Sequence, residues 1–562
     1  MARPTFEHFK RASLEVAKHG DNDTLPFDMD VKFCGDKAQE LASVALGFYK
    51  ELEVLELDKC RERMNALKVY TERLIAPSGP AGFRVVTKIH PFWNVFLNGL
   101  AIAIAEDLEP QRFGGAHSYR FLASGGEQLF DPARSWRAFK EATVEHAAAA
   151  GEDAVIVQTD ISSFYEHISH HHIENLIAGL TGNEHIAKQV NALLSKVFAG
   201  RSFGLPVGGQ AARILAELVL HEVDRKLGWE GIHWHRYVDD YVLVAADNSS
   251  AYRALGVLAH ALMDYGLSLN KSKTVILSSK HYQDYVRAQL GGDDDEAAKL
   301  RSIDLRFDPY SDNPDDEYES LKETVDTLEV RQLLNRELEK ALPDSFLVTQ
   351  ISRTMPLHEP TAALEIAWTL LSQENMHSFR ASFSTIMRGI ANLRREERFA
   401  SIHAGIDRLL DEVPKHSAHL LQLDTNLLHY LRTLRFRRTT SREAFIAQLF
   451  DRTKLEAVRR ACIACWRMWA DQTAFNHLRN RWPELRSESQ RAYWFASFAF
   501  GGEGEKARTL VRREALQMWS LGVEAQGIGH LSTEERKAHP RGQEPLFSQV
   551  FIDWAKDANS SS

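Results

Sequence analysis

Two adjacent acids, Asp239 and Asp240, interrupt the run His235-Arg236-Tyr237-Val238-Asp239-Asp240-Tyr241-Val242-Leu243-Val244, which otherwise reads as a buried β-hairpin. A strand-forming run gains no stability from two neighbouring carboxylates at its tip, because burying unpaired charge is strongly unfavourable. A divalent metal held by the two acids offsets that penalty. The feature therefore predicts metal-dependent chemistry on a palm-like sheet, and the rest of the chain must supply the partners.

At 562 residues the chain is long enough for two or three domains. A hydrophobic share of 44% with 26% charged residues is that of a folded protein, not a disordered one. The net charge of −9 argues against a uniformly basic nucleic-acid binder, although a local basic groove can exist on an acidic chain. Four cysteines exclude a disulfide framework and fit a reducing cytoplasm. Cys462 and Cys465 form one C-x-x-C, but no second pair or His pair completes a zinc site, and their spacing in the apolar segment from Ala461 to Met468 reads as core packing. Mixed charged residues follow Met1-Ala2-Arg3-Pro4, so no secretory segment is expected. No apolar run approaches the ~18 residues that span a bilayer. A cytoplasmic location without a membrane partner is the expectation.

Residues 1–78 read as a helical region, with Leu41, Val44, Ala45 and Phe48 at helical period and a break at Pro77-Ser78-Gly79-Pro80. From 79 to 290, strand-like and helical segments alternate, which is an α+β or α/β pattern. Ala154 to Val157 suits a central strand, Arg213 to Leu227 a helix, and Ile232 to Ala246 the hairpin. Acidic, turn-rich runs at Gly291 to Glu296 and Ser311 to Glu317 predict a surface linker over 291–320. Beyond, over 321–562, strand signals fade. Ala362 to Leu371, Phe399 to Leu410, Leu420 to Leu434 and Arg459 to Trp469 are helical in pattern, spaced as in stacked helix pairs of the HEAT or armadillo kind, with an irregular bundle as the alternative.

The strand Val155-Ile156-Val157 runs into Asp160-Ile161-Ser162-Ser163-Phe164-Tyr165. An acid at that strand's end, beside a hairpin bearing two more, puts three carboxylates at one sheet edge. Two divalent ions held there can stabilise the attacking and leaving oxygens of a phosphoryl transfer. Alone, Asp160 reads equally as a helix N-cap. Between the acids, Gly204-Leu205-Pro206-Val207-Gly208-Gly209 precedes a helix, where glycines let a backbone approach a planar group. Downstream, Gly266 to Thr274 places Lys271 and Lys273 on a turn, where a lysine meets phosphate or is simply solvated.

In order and spacing, Asp160 with Phe164 and Tyr165, then Gly204 to Gly208, then Tyr237-Val238-Asp239-Asp240, then Gly266 to Thr274 resemble motifs A, B, C and D of reverse transcriptases. Arg84 through Pro91, and Leu108 to Phe121, look like the fingers segment of the bacterial enzymes. The resemblance covers about residues 80 to 280. It implies an α+β fold of right-hand-like polymerase fingers and palm, an antiparallel sheet with helices, followed by an all-α C-terminal domain. By that match Asp160, Asp239 and Asp240 are the catalytic acids, and Asp160, Ile161, Asp239 and Asp240 hold Mg2+ or Mn2+. Tyr165 falls at the steric gate that favours deoxynucleotides, with Phe164 supporting it. Arg84, Lys88, Gly208 and Lys273 are nucleotide-binding candidates, and Gly204, Leu205, Pro206 and Val207 form the motif B loop.

Many intron-encoded and retroviral relatives carry Gln where this chain has Val207, so template contact there is expected to differ. The loop, the following Ile214 to Glu217 and Asp224, and the long helical C-terminus look more like the abortive-infection, defence-associated bacterial group; Ala212-Arg213 departs from the Ser-Arg common there. A missing Val-Thr-Gly motif and the length speak against a retron enzyme, and the lack of a Cys/His endonuclease against a maturase. The resemblance implies an antiphage RNA-directed or template-independent DNA polymerase using dNTPs, a homo-oligomer, with a nucleic-acid partner: an RNA template, a noncoding RNA, or a DNA product attached to the protein. An RNA polymerase using rNTPs, and an interaction or toxin scaffold, are the alternatives. Arg432, Arg435, Arg437 and Arg438 with Phe436, and Arg459-Arg460 near Trp466, read either as product contacts or as a solvated helix face. Arg120 reads as a structural bridge, and His170-His171-His172 as a polar helix start.

Overall fold

The structure, a computed structural model, describes residues 3–67, 69–79, 82–123, 128–290, 300, 330–340, 343–518 and 546–560. Four helices open the chain: α1 (Phe6–His19), α2 (Met29–Asp36), α3 (Ala38–Glu53) and α4 (Leu57–Ala66). Thr5 caps α1 by accepting from the His8 N–H, and the His8 ring accepts in return from the Thr5 N–H. Strands β1 (Thr71–Ser78) and β2 (Gly82–Ile89) then form an antiparallel hairpin. The expected break at Pro77-Ser78-Gly79 is the end of this hairpin. Pro77 pairs with Phe83 and Ser78 with Gly82, while Gly79 takes a φ of 64° that suits a residue without a Cβ. Pro80, the last residue of the expected break, lies outside the described residues.

Helix α5 (Pro91–Leu108) follows, apolar on nearly all sides and buried accordingly. Then come α6 (Trp136–Ala149), β3 (Val155–Asp160), α7 (Phe164–His167), α8 (His170–Thr181), α9 (Glu184–Val197), α10 (Gln210–Trp229), β4 (His233–Tyr237), β5 (Asp240–Ala245), α11 (Asn248–Met263), β6 (Val275–Ser278) and α12 (Ser279–Leu290). The strands form one sheet in the order β4-β5-β3-β6, with every neighbouring pair antiparallel. Alternation along β3 and β5 sorts side chains to two faces. Val155, Val157, Leu243 and Ala245 enter the main core with α5, α10 and α11, whereas Ile156, Val242 and Val244 pack on Phe139 and Ala147 of α6 and Tyr282 and Val286 of α12. A sheet covered on both faces has little freedom to slip in register.

After residue 330 every regular element among the described residues is helical. Every second helix packs on the next: Ser345–Thr354, Phe383–Arg395, Asp424–Leu434, Glu456–Met468 and Ser487–Ala496 form one row. Pro360–Leu371 packs on His403–His416 in a second row. Two stacked rows are the layering of a helical solenoid. Cys462 and Cys465 are buried in that core. The expected 291–320 linker lies, apart from Leu300, outside the described residues.

The two halves are joined by charge as well as by apolar packing. Glu72 of β1 accepts from the backbone N–H of Glu456 and Ala457, each at 2.7 Å, capping the helix Glu456–Met468. Asp30 of α2 is fully buried against Arg460 (2.5 Å) and Arg491 (2.6 Å). Phe33 of α2 meets Phe547, Phe551 and Trp554 of the last helix, Phe547–Ser560.

Candidate active site

Strands β4 and β5 are joined by only two residues, Val238 and Asp239, with Tyr237 and Asp240 paired across the turn. Val238 has a φ of 55°, and Asp239 is not among the positive-φ residues, the pattern of a type II′ hairpin turn. Glycine normally takes that first position. A β-branched residue there stores strain of roughly 1–3 kcal/mol, and such strain persists only where the surroundings impose it. Asp239 thus sits on the turn and Asp240 heads β5, directly opposite Asp160 at the end of β3. The Ile161 N–H donates to the Asp239 carbonyl at 3.2 Å, locking the strand end to the turn. The three expected acids meet at one sheet edge.

Their charges repel. Burial, and then Asp160 and Asp240, push the Asp239 carboxyl up to about 7, and Asp239 shares a hydrogen bond with Asp160. Burial and Asp160 also raise Asp240. Lys273 Nζ lies 2.9 Å from Asp160 Oδ2, and Asn270 Nδ2 donates to the same oxygen at 3.1 Å. Lys140 of α6, which sequence reasoning passed over, is buried, and its charge eases that of Asp240. Beside the acids opens a cavity of about 500 Å³, lined by Asp160, Asp240, Lys273, Thr159, His281 and Tyr285 among others.

Three crowded carboxylates that still repel beside Lys273 and Lys140 have the hard-oxygen chemistry of a magnesium or manganese site. Their present placement is not a finished cage: among the described residues, no three His, Cys, Asp or Glu side chains are arranged to hold a metal ion. Asp160 Oδ2 is taken by Lys273 and Asn270.

The loop expected to line the site is tied to α7 and α8. Leu205 N–H donates to the Tyr165 carbonyl at 2.9 Å, Gly204 N–H to the Ile168 carbonyl at 2.8 Å, and the buried His170 ring contacts the Gly204 carbonyl at 2.7 Å. His170 is therefore more than a helix start. Leu205 and Pro206 are buried, and Val207 is half-buried. Phe164 is buried and packs 5.1 Å from the half-buried Tyr165 ring.

Gly208 faces the N-terminal segment, which sequence reasoning had left out of the site. With φ at 95°, it leaves no room for a side chain: a Cβ would lie 2.5 Å from Asp23 Oδ1. Asp23 stands 3.3 Å from Arg213 of α10 and 3.8 Å from Arg84 of β2. Arg84 keeps a partly exposed guanidinium. Lys88 does not. It is 3% exposed and surrounded by Asp21, Asp28 (3.0 Å) and Asp30 (3.8 Å). Three acids from a segment some sixty residues upstream commit its charge inside the protein, which corrects its expected nucleotide contact. Arg120 is structural, bound to Glu109 and to the carbonyls of Phe113 and Ala116.

Beneath the hairpin lies a buried charge network that the sequence reading missed. Arg236, 0% exposed, pairs with Glu217 (2.8 Å) and Asp224 (2.7 Å) of α10. Arg112 reaches Glu217 at 2.5 Å, and Tyr241 donates to Asp224 at 2.9 Å. Burial opposes the charge of Arg236, but Asp224 and Glu217 outweigh it and hold it well above the usual arginine range. The basic clusters of the helical half divide. Arg437 pairs with Asp407, Arg438 with Glu443, Arg459 with Glu456, and Arg460 with Asp30 and Glu488. Arg432 packs over the Phe27 ring, and burial with nearby Arg435, Arg395 and Arg388 lowers it to about 9.

Residues 104–300 match the family model described as reverse transcriptase (RNA-dependent DNA polymerase). No curated protein matches the sequence. Among solved structures, the chain is similar to telomerase from Candida albicans in complex with a fragment of telomeric RNA, at 11% identity and a TM-score of 0.31, over 66% of this chain and 68% of that one. It is also similar to apo telomerase from Candida tropicalis, at 12% identity and a TM-score of 0.30, over 69% of this chain and 73% of that one. The family match spans α10, β3 to β6 and all three acids. The chain carries a reverse transcriptase domain and is a nucleotidyltransferase, an RNA-directed DNA polymerase.

Proposed function

We propose that this enzyme extends DNA by metal-dependent nucleotidyl transfer from dNTPs at the edge formed by Asp160, Asp239 and Asp240, and that it serves antiphage defence in the cytoplasm. The observation that carries the reaction is the register that sets Asp160 against Asp240, with Asp239 on the adjoining turn. Magnesium or manganese held by Asp160, Asp239 and the Ile161 backbone, with Asp240 completing the charge, would activate a primer hydroxyl and neutralise the triphosphate. Lys273, paired with Asp160, would give a proton to the leaving pyrophosphate. Tyr165 would exclude a ribose 2′-hydroxyl, which disfavours an RNA polymerase using rNTPs. Arg84 and Arg213 would meet the triphosphate, and Arg432 and Arg435 the product.

The division into an N-terminal helical region, a fingers and palm segment to residue 290, and a helical C-terminal domain is part of this reading, as is a homo-oligomeric state. The defence role rests on the motif B loop with Val207 and on the layered helical half. No helix among the described residues is long and apolar enough to cross a membrane. The test is to purify the protein from cells, sequence any attached nucleic acid, and compare dNTP incorporation and phage protection with those of a D239A/D240A variant. Incorporation surviving in that variant would sink the site assignment. Protection surviving without incorporation would favour an interaction or toxin scaffold.

A further inference from the structure

The turn that carries Asp239 is held by its neighbours rather than by its own sequence. Val238 takes a left-handed φ of 55°, which a valine does not adopt unassisted. Both peptide groups flanking its Cα are gripped. Its N–H donates to Ser118 Oγ at 2.9 Å, and its carbonyl accepts from Arg236 Nη1 at 3.1 Å. The two grips are linked, because Ser118 Oγ donates to Glu217 Oε1 at 2.7 Å and Arg236 Nη1 donates to the same oxygen at 3.1 Å. Arg236 cannot swing, since Asp224 holds its other edge.

We infer that Ser118 and Arg236 are positioning residues for the nucleotidyl transfer, fixing Val238 in the left-handed conformation and thereby aiming Asp239 and Asp240. This rests on the polymerase reading above. Released, a two-residue turn with valine in its first position relaxes toward negative φ. The Tyr237–Asp240 pair then loses its twist, and Asp240 leaves its place opposite Asp160. The strand below stays folded, because its apolar faces are packed independently of the turn.

Removing Arg236 would take from the buried Asp224 its only ion-pair partner among the described residues and could unfold the chain, so the decisive variants are Ser118→Ala, Val238→Gly and the double variant in the full-length protein. Glycine takes the first turn position without strain and makes the grip dispensable. In Ser118→Ala, amide exchange at residues 238–241 should rise about tenfold or more while the rest of the palm is unchanged. The dNTP kcat should fall about tenfold with KM altered less than about twofold. In the double variant both should return to the level of Val238→Gly alone. Equal exchange in wild type and Ser118→Ala would overturn the inference, as would an equal loss in the valine and glycine backgrounds. If the wild type incorporates no nucleotide, the polymerase reading fails, while the exchange comparison still decides this one.

Discussion

Lys273 Nζ sits 2.9 Å from Asp160 Oδ2, so the one cation of the motif D turn that reaches the acids holds the acid at the end of β3. Its hydrogen bond to Asp160 raises its pKa above the ordinary lysine value. If Lys273 gives a proton to pyrophosphate, that role is compatible with its pairing to Asp160, because a metal held by Asp160 would compete for the same oxygen and free the lysine. Lys273→Met should lower kcat by about 10²-fold, in the range of lost general-acid catalysis, and flatten the alkaline limb of the rate profile. Because the side chain is 64% exposed, its loss should leave thermal stability nearly unchanged. A large fall in Tm with kcat intact would contradict this.

Asp239 gives a pH dependence with a defined sign. Its carboxyl is raised to about 7 in the folded protein, far above its unfolded value, so the native state binds the extra proton. The stability this lends is present at low pH and is lost as pH rises through about 7. Asp239→Asn should therefore be inactive yet more stable than wild type at pH 8, by up to roughly 4 kcal/mol, with the difference closing toward pH 4. Metal-free thermal melts at both values test it. Divalent ions should narrow the gap at pH 8 by stabilising wild type alone.

How far the sequence disclosed this site follows from where each partner lies along the chain. The acids and strands were readable because their signals are local: period-two apolar runs bounded by carboxylates at motif spacing. The helical half was readable from its period as well. Lys88 was not, since its partners Asp21, Asp28 and Asp30 lie far upstream and nothing in β2 points to them. Arg236 left a clue. It alternates with Trp234 on the inward side of β4, and a buried arginine requires acids, which Glu217 and Asp224 supply at i, i+7 on one face of α10.

Tyr165 is fixed from behind by Phe164 and from the side by the Leu205 bond to its carbonyl, so its ring cannot easily retreat. If the ring excludes a 2′-hydroxyl, Tyr165→Ala should let rNTPs in. The ratio of kcat/KM for dNTP over rNTP should fall by about 10–200-fold, the range for a pocket that gains one small group's room. Tyr165→Phe should keep the ratio, because exclusion depends on the ring and not on the hydroxyl. An unchanged ratio in the alanine variant would remove the gate assignment and reopen the RNA polymerase alternative.

Lys88 separates a structural lysine from a nucleotide-binding one. Burial works against its charge, but Asp21 and Asp28 outweigh it and keep it protonated. Lys88→Met would leave Asp21 without an ion-pair partner among the described residues, and Asp28 and Asp30 with Arg460 and Arg491, which Glu488 shares. Breaking such a buried cluster costs about 3–5 kcal/mol, so a sharp fall in Tm is expected. The joint between α2, β2 and the helical half should loosen with it, because Asp30 belongs to both clusters. Protein that remains folded at low temperature should bind dNTP with near-normal KM, since the ammonium never reaches the cavity. A variant that melts like wild type but shows a tenfold higher KM would restore Lys88 to the nucleotide site.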